Sequence, residues 1–399
     1  MKDVFITISL ALEEVIFQKR NLDQVISFWI SKNKKTWTNK NILQFVTILQ
    51  ETTRWWRLLY EINKEINPKF GTLTQNIVAI YLARTPFGLP QENRITTKLK
   101  KEINKTLESL YCIRAIRESI PDWLDKLGSE ELGSRWAKEI SYLNSNPPIV
   151  LRANRLKTTP HELYKILTNE GYKVKKIANS DALILTKSAN VFKSNAFKLG
   201  MFEQQDFSSQ QVVPFLKVEE GQWVVDACAG NGGKSLHLAS LMNNKGKIIA
   251  LDIKDWKLKE LKRRARRAGA SNIETKPIET SKTIKRLHNK ADRLLIDAPC
   301  SGLGVLKRNP DTKWHLTAEN IDELRLVQRQ ILEKYCHMLK PGGFMVYSTC
   351  SILPSENEQQ VKWFIDKMNG QYTLEEEQTL YPSETGFDGF YMARIKRGY

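Results

Sequence analysis

Two of the five cysteines stand where a thiol can do chemistry. One closes ADRLLIDAPC, the other closes GGFMVYSTC, and each follows an apolar run of strand character before opening a polar turn. These are Cys300 and Cys350. A thiolate there can form a covalent intermediate that splits one hard step into easier ones. Its site must stabilise the ionised sulfur, through basic groups or a helix N-terminus. Asp297, three residues before Cys300, is placed to give or share a proton with a reacting ring. Cys112 and Cys336 lack such a setting and are expected to be inert, buried small hydrophobes.

A second constellation lies upstream. WVVDACAGNGGKSLHLASLM reads as a strand, a tight turn and a helix. Glycines at 230, 232 and 233 allow close approach of a ligand to the backbone. About 20 residues on, Asp252 ends the next apolar run, where an acid commonly accepts hydrogen bonds from ribose hydroxyls. The spacing is not GxGxxG, which argues against a nicotinamide cofactor, and it is not a Walker loop. Asp226 suits contact with an amino-acid moiety. S-adenosylmethionine, an adenosine carrying a sulfonium amino acid, fits this set better than a dinucleotide. This reading puts Asp226, Gly230, Gly232, Gly233 and Asp252 at the cofactor.

A methyl donor beside two thiols suggests one reaction. Carbon 5 of cytosine is too poor a nucleophile to take a methyl group unaided. A thiolate added to carbon 6 makes the ring enamine-like, and carbon 5 can then attack the methyl. A base afterwards removes the carbon 5 proton so that the thiol can leave. The target cytosine must be unpaired or flipped out of its helix.

The elements that must position these groups alternate from residue 201 onward. KIIALDI is a second strand and WKLKELKRRARRAG a second helix. The alternation predicts a mostly parallel, doubly wound sheet with helices on both faces. Residues 147 to about 200 read as a small β-α-β element, with strands in PPIVLRANRLKTT and ALILTK. Residues 121 to 146 form a helical bridge opened by Pro121 and stopped by Pro147 and Pro148. Residues 1–120 read as helices, with apolar residues at helical spacing in Leu10, Ile16, Val25 and Trp29 and in Ile42, Phe45, Ile48 and Leu49. Trp55, Trp56 and Tyr60 are expected mostly in the core.

Composition narrows the partners. Lys and Arg number 62 against 44 Asp and Glu, a net charge of +18, which favours a polyanion and above all nucleic acid. The helix after Asp252 carries Lys257, Lys259, Lys262, Arg263, Arg264, Arg266 and Arg267. Like charges so close cost helix stability, which points to a phosphate-binding role. Lys307, Arg308, Lys313 and Trp314 are expected to hold RNA near Cys300. An odd cysteine count without a CxxC pair argues against disulfides and zinc. Reduced thiols predict a cytoplasmic protein without bound metal, and a monomer is expected. The opening stretch reads as an amphipathic helix, not a signal peptide, and no apolar run is long enough to span a membrane.

DAPCSG, YSTCS and CAGNGGK together resemble the RNA cytosine-5 methyltransferases of the Sun/NOL1/NOP2 (RsmB-like, Fmu) group. LRANRLKT, GMFEQQDFSSQ and the closing GFDGFYMARIKR extend the likeness over about residues 121 to 399. The resemblance implies a Rossmann-like S-adenosylmethionine-dependent methyltransferase domain over 201–399. It makes Cys350 the nucleophile and Cys300 the residue that assists release of the methylated base. It lines the S-adenosylmethionine site with Cys228, Ala229, Gly230, Asn231, Gly232, Gly233 and Lys234, together with Asp252 and Asp297. It also puts an acid beside the adenine, and Glu279 stands at about that place without the glycine that usually precedes it. Asn231 replaces the proline usual before GGK, and asparagine tolerates a left-handed turn. DNA enzymes of the same chemistry carry an ENV motif, absent here. Residues 1–120 resemble the NusB-like RNA-binding domain of bacterial small-subunit rRNA members, and residues 121–200 are expected to be an RNA-binding linker helix with a small α/β element. The reading is therefore an RNA cytosine-5 methyltransferase acting on small-subunit (16S) rRNA. The alternatives are a tRNA methyltransferase and an RNA-binding ribosome-assembly factor.

Overall fold

A computed structural model describes residues 2–87, 93–187 and 189–399. The chain divides into two compact units, Met1–Ser145 with Leu306–Ala318, and Asn146–Val305 with Glu319–Tyr399. The boundary read from sequence at residue 120 falls inside the first unit, and residues 306–318 leave the second.

The first unit is helical. Val4, Ile8, Ala11, Leu12 and Val15 of the helix Lys2–Ile16 share one face and pack with Val25, Phe45, Leu49, Leu59 and Ile62. Leu10 is not on that face. It is 47% exposed, because the buried stripe runs through 8, 12 and 15 rather than through 10. Capping boxes at Thr38 with Asn41 and Thr72 with Gln75 fix two helix starts. The helix Leu73–Ala83 buries residues all round its circumference, which makes it the centre of the unit.

Residues 306–318 belong to this helical core. Trp314 Nε1 donates to the Thr53 carbonyl at 2.7 Å, and Lys313 Nζ donates to Asn144 Oδ1 at 3.0 Å. The Leu22 amide donates to Asp311 Oδ2 at 3.0 Å, and Arg54 Nη2 donates to the Lys307 carbonyl at 2.9 Å. Lys307 and Lys313 are buried, and burial pushes the Lys313 amine well below its usual range. The sequence placed Lys307, Lys313 and Trp314 on RNA. They are instead internal partners of the helices, since a desolvated lysine with a side-chain acceptor is a packing element and no phosphate contact.

The second unit contains two sheets. The smaller has β1 (Val150–Ala153), β2 (Val174–Lys176), β3 (Ala182–Leu185) and β4 (Phe202–Gln204) in the order β2-β3-β1-β4, all antiparallel. The helix Pro160–Asn169 covers it, started by proline and a Thr159–Glu162 capping box. Strand β4 lies in GMFEQQ, beyond the expected end of this element at residue 200. It pairs with β1, and its three residues are too few to show alternation in the sequence.

The larger sheet is built of β5 (Trp223–Asp226), β6 (Lys247–Asp252), β7 (Ile273–Pro277), β8 (Ala291–Asp297), β9 (Leu339–Thr349), β10 (Tyr372–Leu380) and β11 (Phe390–Arg397). Their order is β10-β11-β9-β8-β5-β6-β7. The run from β9 to β7 is parallel, and β11 and β10 complete the sheet antiparallel. This is the doubly wound sheet expected. After β5 the chain moves outward to β6 and β7, then returns across β5 to β8. The crevice of such a sheet opens at the carboxyl ends of the strands flanking that reversal. Asp226, Asp252, Asp297 and Thr349 end β5, β6, β8 and β9 there.

Candidate active site

The glycine turn folds as its ligand role requires. Gly230 and Gly232 have φ of +53° and +84°, and a Cβ on Gly232 would meet Leu261 at 2.4 Å. Asn231 is not among the residues with positive φ, so the flanking glycines make the turn and the proline position needs no left-handed residue. Asp252 pins the loop, accepting from the Gly230 amide at 2.9 Å and the Lys254 amide at 2.8 Å. The helix Gly233–Leu241 starts without a side-chain cap, leaving its first amides free to meet a ligand. Ala229 is buried and donates its amide to Leu251.

Asp226 departs from its expected place. It is wholly buried, accepting from the Ser235 hydroxyl at 2.6 Å, so it shapes the loop from beneath instead of touching a ligand's amino-acid end. Burial pushes its carboxyl up to about 7. Burial and the charges of Asp226, Asp297 and Asp252 push the Cys228 thiol well above its usual range, which disqualifies it as a nucleophile. Glu279 is exposed just beyond β7, whose last residue Pro277 is in register with Asp252.

Lys234 reaches across from the loop helix. Its Nζ lies 2.6 Å from Asp297 Oδ2, and Ser348 donates to Asp297 Oδ1 at 2.9 Å. Three elements thus hold Asp297 at the crevice: its own strand β8, the loop helix and β9.

The two half-buried thiols meet. Cys300 Sγ and Cys350 Sγ are 3.4 Å apart. Their loops interlock at Gly304, whose amide donates to the Cys350 carbonyl at 2.9 Å and whose carbonyl accepts from Gly389 at 2.8 Å. A Cβ at Gly304 would lie 2.3 Å from Gly389 O and 2.7 Å from Cys350 O, so only glycine permits this approach. The Cys350 neighbour, burial and the Glu356 charge push the Cys300 thiol well above its ordinary range. Elsewhere Cys336 is buried as expected, but Cys112 is exposed rather than buried.

Sequence reasoning missed the groups behind the thiols. Glu356 accepts from the Ser301 amide at 2.8 Å, the Ser301 hydroxyl at 2.5 Å and Gln328 Nε2 at 3.0 Å. Thr349 donates to Asn357 Oδ1 at 2.5 Å. The signal available was PSEN, a polar turn that starts four residues past Cys350. Arg152 was missed as well. It is buried in β1 and donates to the Gly233 carbonyl at 2.9 Å, and the signal was an arginine inside a four-residue apolar strand.

The basic helix Asp255–Ala268 is only partly an RNA candidate. Arg264 pairs with Glu203 at 2.8 Å and donates to the Asn231 carbonyl at 2.8 Å, while Arg267 pairs with Glu203 and lies over the Phe197 ring. Those two are structural. Lys259 and Arg263 pair with Asp255 and Glu260 on the exposed side. Lys262 and Arg266 are exposed.

Among the described residues, no group of three or more His, Cys, Asp or Glu is placed to hold a metal ion, and no helix is long and apolar enough to cross a membrane.

Two family profiles match the chain: 16S rRNA methyltransferase RsmB/F over residues 213–396, and the RsmF/B-like ferredoxin-like domain over 120–192. Ribosomal RNA small subunit methyltransferase B of Serratia proteamaculans is 34% identical over 350 residues, covering 84% of this chain and 80% of the relative. This chain belongs to the RsmB/F family. The Pasteurella multocida RsmB relative is 33% identical over 292 residues, covering 69% of this chain and 65% of its own length, so the chain spans about two thirds of that relative. A methyltransferase homologue from Pyrococcus horikoshii, 28% identical, superposes with a TM-score of 0.63 over 71% of this chain and 97% of its own. The larger sheet of the second unit is accordingly the S-adenosylmethionine-dependent methyltransferase fold of the RsmB/F family, and the ferredoxin-like match over residues 120–192 takes in strands β1 to β3 of the smaller sheet.

Proposed function

We propose that the protein transfers a methyl group from S-adenosylmethionine to carbon 5 of a cytosine in small-subunit rRNA, through a covalent bond between Cys350 and carbon 6. The observation that carries this reading is the 3.4 Å contact between Cys300 and Cys350 at the carboxyl ends of neighbouring strands, beside the glycine loop. That the family is one of 16S rRNA methyltransferases supports the rRNA substrate over tRNA.

The residues fit S-adenosylmethionine. A Cβ at Gly230 or Gly233 would meet nothing within 4 Å, so the loop faces open space ahead of an uncapped helix. Gly230, Gly232, Gly233 and Lys234 would hold the ligand, with Asp252 at the ribose and Glu279 toward the base. Bound there, it supplies an electrophilic methyl group.

The chain's own residues do the rest. Cys350 Sγ adds to carbon 6, and its electron pair becomes the new C–S bond while carbon 5 gains nucleophilic character. Asp297 holds or donates a proton at ring N3, with Lys234 fixing its orientation. After methylation a base takes the carbon 5 proton, the C–H electron pair re-forms the C5–C6 double bond, and the C–S bond breaks with its electron pair returning to Cys350 Sγ. Cys300, in contact with that sulfur, assists this release.

The test is a pair of variants on unmodified rRNA. Cys350→Ala is expected to lose methyl transfer while keeping RNA affinity. Cys300→Ala is expected to accumulate a covalent RNA adduct mapped to the Cys350 peptide. A Cys300→Ala protein that loses activity without an adduct contradicts the division of roles. Retained activity in Cys350→Ala contradicts the mechanism.

A further inference from the structure

We infer that Glu356 is a positioning residue that keeps the proton of the thiol pair on Cys300, so that Cys350 is the sulfur that ionises in the resting protein. The inference rests on the proposed covalent role of Cys350 and goes beyond it. The roles assigned so far say which sulfur attacks. They do not say what makes two touching thiols unequal.

The inequality lies in what flanks each cysteine. Glu356 is wholly buried. Its carboxylate accepts from the amide and from the hydroxyl of Ser301, the residue after Cys300. It also takes one from Gln328, which donates to the carbonyl of Pro299, the residue before Cys300, at 3.0 Å. The carboxylate is therefore bound to both chain neighbours of Cys300. Among the described residues, each of its hydrogen bonds comes from a neutral donor, an amide or a hydroxyl, and no cation pairs with it. A buried negative charge without a counter-ion disfavours a second negative charge close by. Cys350 is flanked differently. Its carbonyl accepts from the Gly304 amide, the Ser351 amide donates to Thr349 Oγ1 at 3.2 Å, and the Ser351 carbonyl accepts from Asn357 at 3.1 Å. These partners are all neutral.

The Cys350 sulfur touches Cys300 at 3.4 Å, and the buried Tyr347 hydroxyl donates to the Glu356 carbonyl at 2.7 Å. The Cys350 neighbour, burial and the Glu356 charge disfavour a thiolate at Cys300, and the Gly302 amide favours one. On ionisation, one thiol proton of the pair leaves to a buffer base. The other stays on Cys300 Sγ and points along the 3.4 Å contact to the Cys350 thiolate. A hydrogen bond to an ionised acceptor is stronger than one between neutral groups, so the arrangement stabilises charge on the nucleophile.

Glu356→Gln separates charge from geometry. The amide oxygen can accept from Ser301 N and Gln328, while its nitrogen donates to Ser301 Oγ, whose proton turns to Ser351 Oγ at 3.3 Å. The same groups stay hydrogen-bonded, with the Ser301 hydroxyl contact reversed in direction, and the charge is lost.

The experiment measures initial rates of iodoacetamide alkylation at Cys300 and Cys350 in the full chain, by peptide mass spectrometry, across roughly pH 6 to 11. Neither RNA nor methyl donor is needed, so failure of the proposed methylation does not disturb the readout. In the unsubstituted protein the Cys350 midpoint is expected below that of Cys300. Glu356→Gln is expected to raise Cys300 alkylation near neutral pH by about tenfold, the effect of one pKa unit. Ser301→Ala, which keeps the charge, is expected to leave the order unchanged. A folded Glu356→Gln protein with unaltered midpoints overturns the inference. So does a Cys300 midpoint below that of Cys350 in the unsubstituted protein, a result that stands even where the variant does not fold.

Discussion

Asp226 carries a chemical consequence separate from ligand binding. Its carboxyl, pushed up to about 7 by burial, keeps a proton in the folded protein that the unfolded chain, at 3.8, has given up. The folded state binds more protons in that window, so stability is fully present below 3.8 and falls as pH rises through about 7. A shift of this size corresponds to about 4 kcal/mol. Asp226→Asn is expected to flatten the fall, and thermal melts from roughly pH 5 to 8 check it. Equal slopes for both proteins would contradict it. At the crevice, Asp297→Asn removes the ion pair with Lys234 and, on the proposed reading, the group that holds a proton at the ring. It is expected to lower kcat/KM about 10²-fold or more, with cofactor binding less affected. The thiols, Asp252, Asp297 and Lys234 were legible in the sequence because each ends a strand or sits in a short motif. Asp226 was misread as a ligand contact, since a strand-end acid looks the same whether it faces the crevice or the layer beneath. Glu356 and Arg152 were not seen because burial of a lone charge is a tertiary fact with no periodicity of its own.

At the scale of elements, a buried charge cluster fastens the small antiparallel sheet to the cofactor loop. Arg152 and Glu203 come from β1 and β4, Arg264 and Arg267 from the basic helix, and their bonds end on the carbonyls of Gly233 and Asn231. On the proposed reading, the small sheet thereby helps to shape the loop that would hold the cofactor. Removing the one carboxylate leaves guanidinium groups uncompensated, and breaking such a buried arrangement costs about 3–5 kcal/mol. Glu203→Ala is therefore expected to lower Tm and to weaken S-adenosylmethionine binding, read by calorimetry. An unchanged Kd in a folded variant would mean that the loop holds its shape alone. Gly304→Ala is expected to part the two thiol loops, since its methyl group would overlap two carbonyl oxygens. The alternation of strands and helices was readable from residue 201 because buried parallel strands are continuous apolar runs. Strand β4 was not, being three residues long, and neither was the pairing that turns a row of arginines from a phosphate surface into a packed cluster.

At the scale of the whole molecule, the sequence predicted helices for the first 120 residues but not that the helical unit takes in residues 306–318. Local spacing cannot announce a partner some 250 positions away, such as Trp314 on Thr53. A fragment ending at Ser145 lacks that segment and is expected to melt at lower temperature than one supplied with it. The net charge of +18 predicts RNA binding that weakens steeply with salt, by about 10³-fold between about 50 and 200 mM when six phosphates are neutralised. The central claim is the reaction itself. Its most direct test is methyl transfer from labelled S-adenosylmethionine to unmodified small-subunit rRNA, large-subunit rRNA and tRNA, side by side, with 5-methylcytosine as the readout. Label as 5-methylcytosine in small-subunit rRNA alone is the predicted result. Label in tRNA or large-subunit rRNA would contradict the substrate. No label in any of them, in naked RNA or in small-subunit assembly intermediates, would contradict the enzyme and leave an RNA-binding assembly factor in its place.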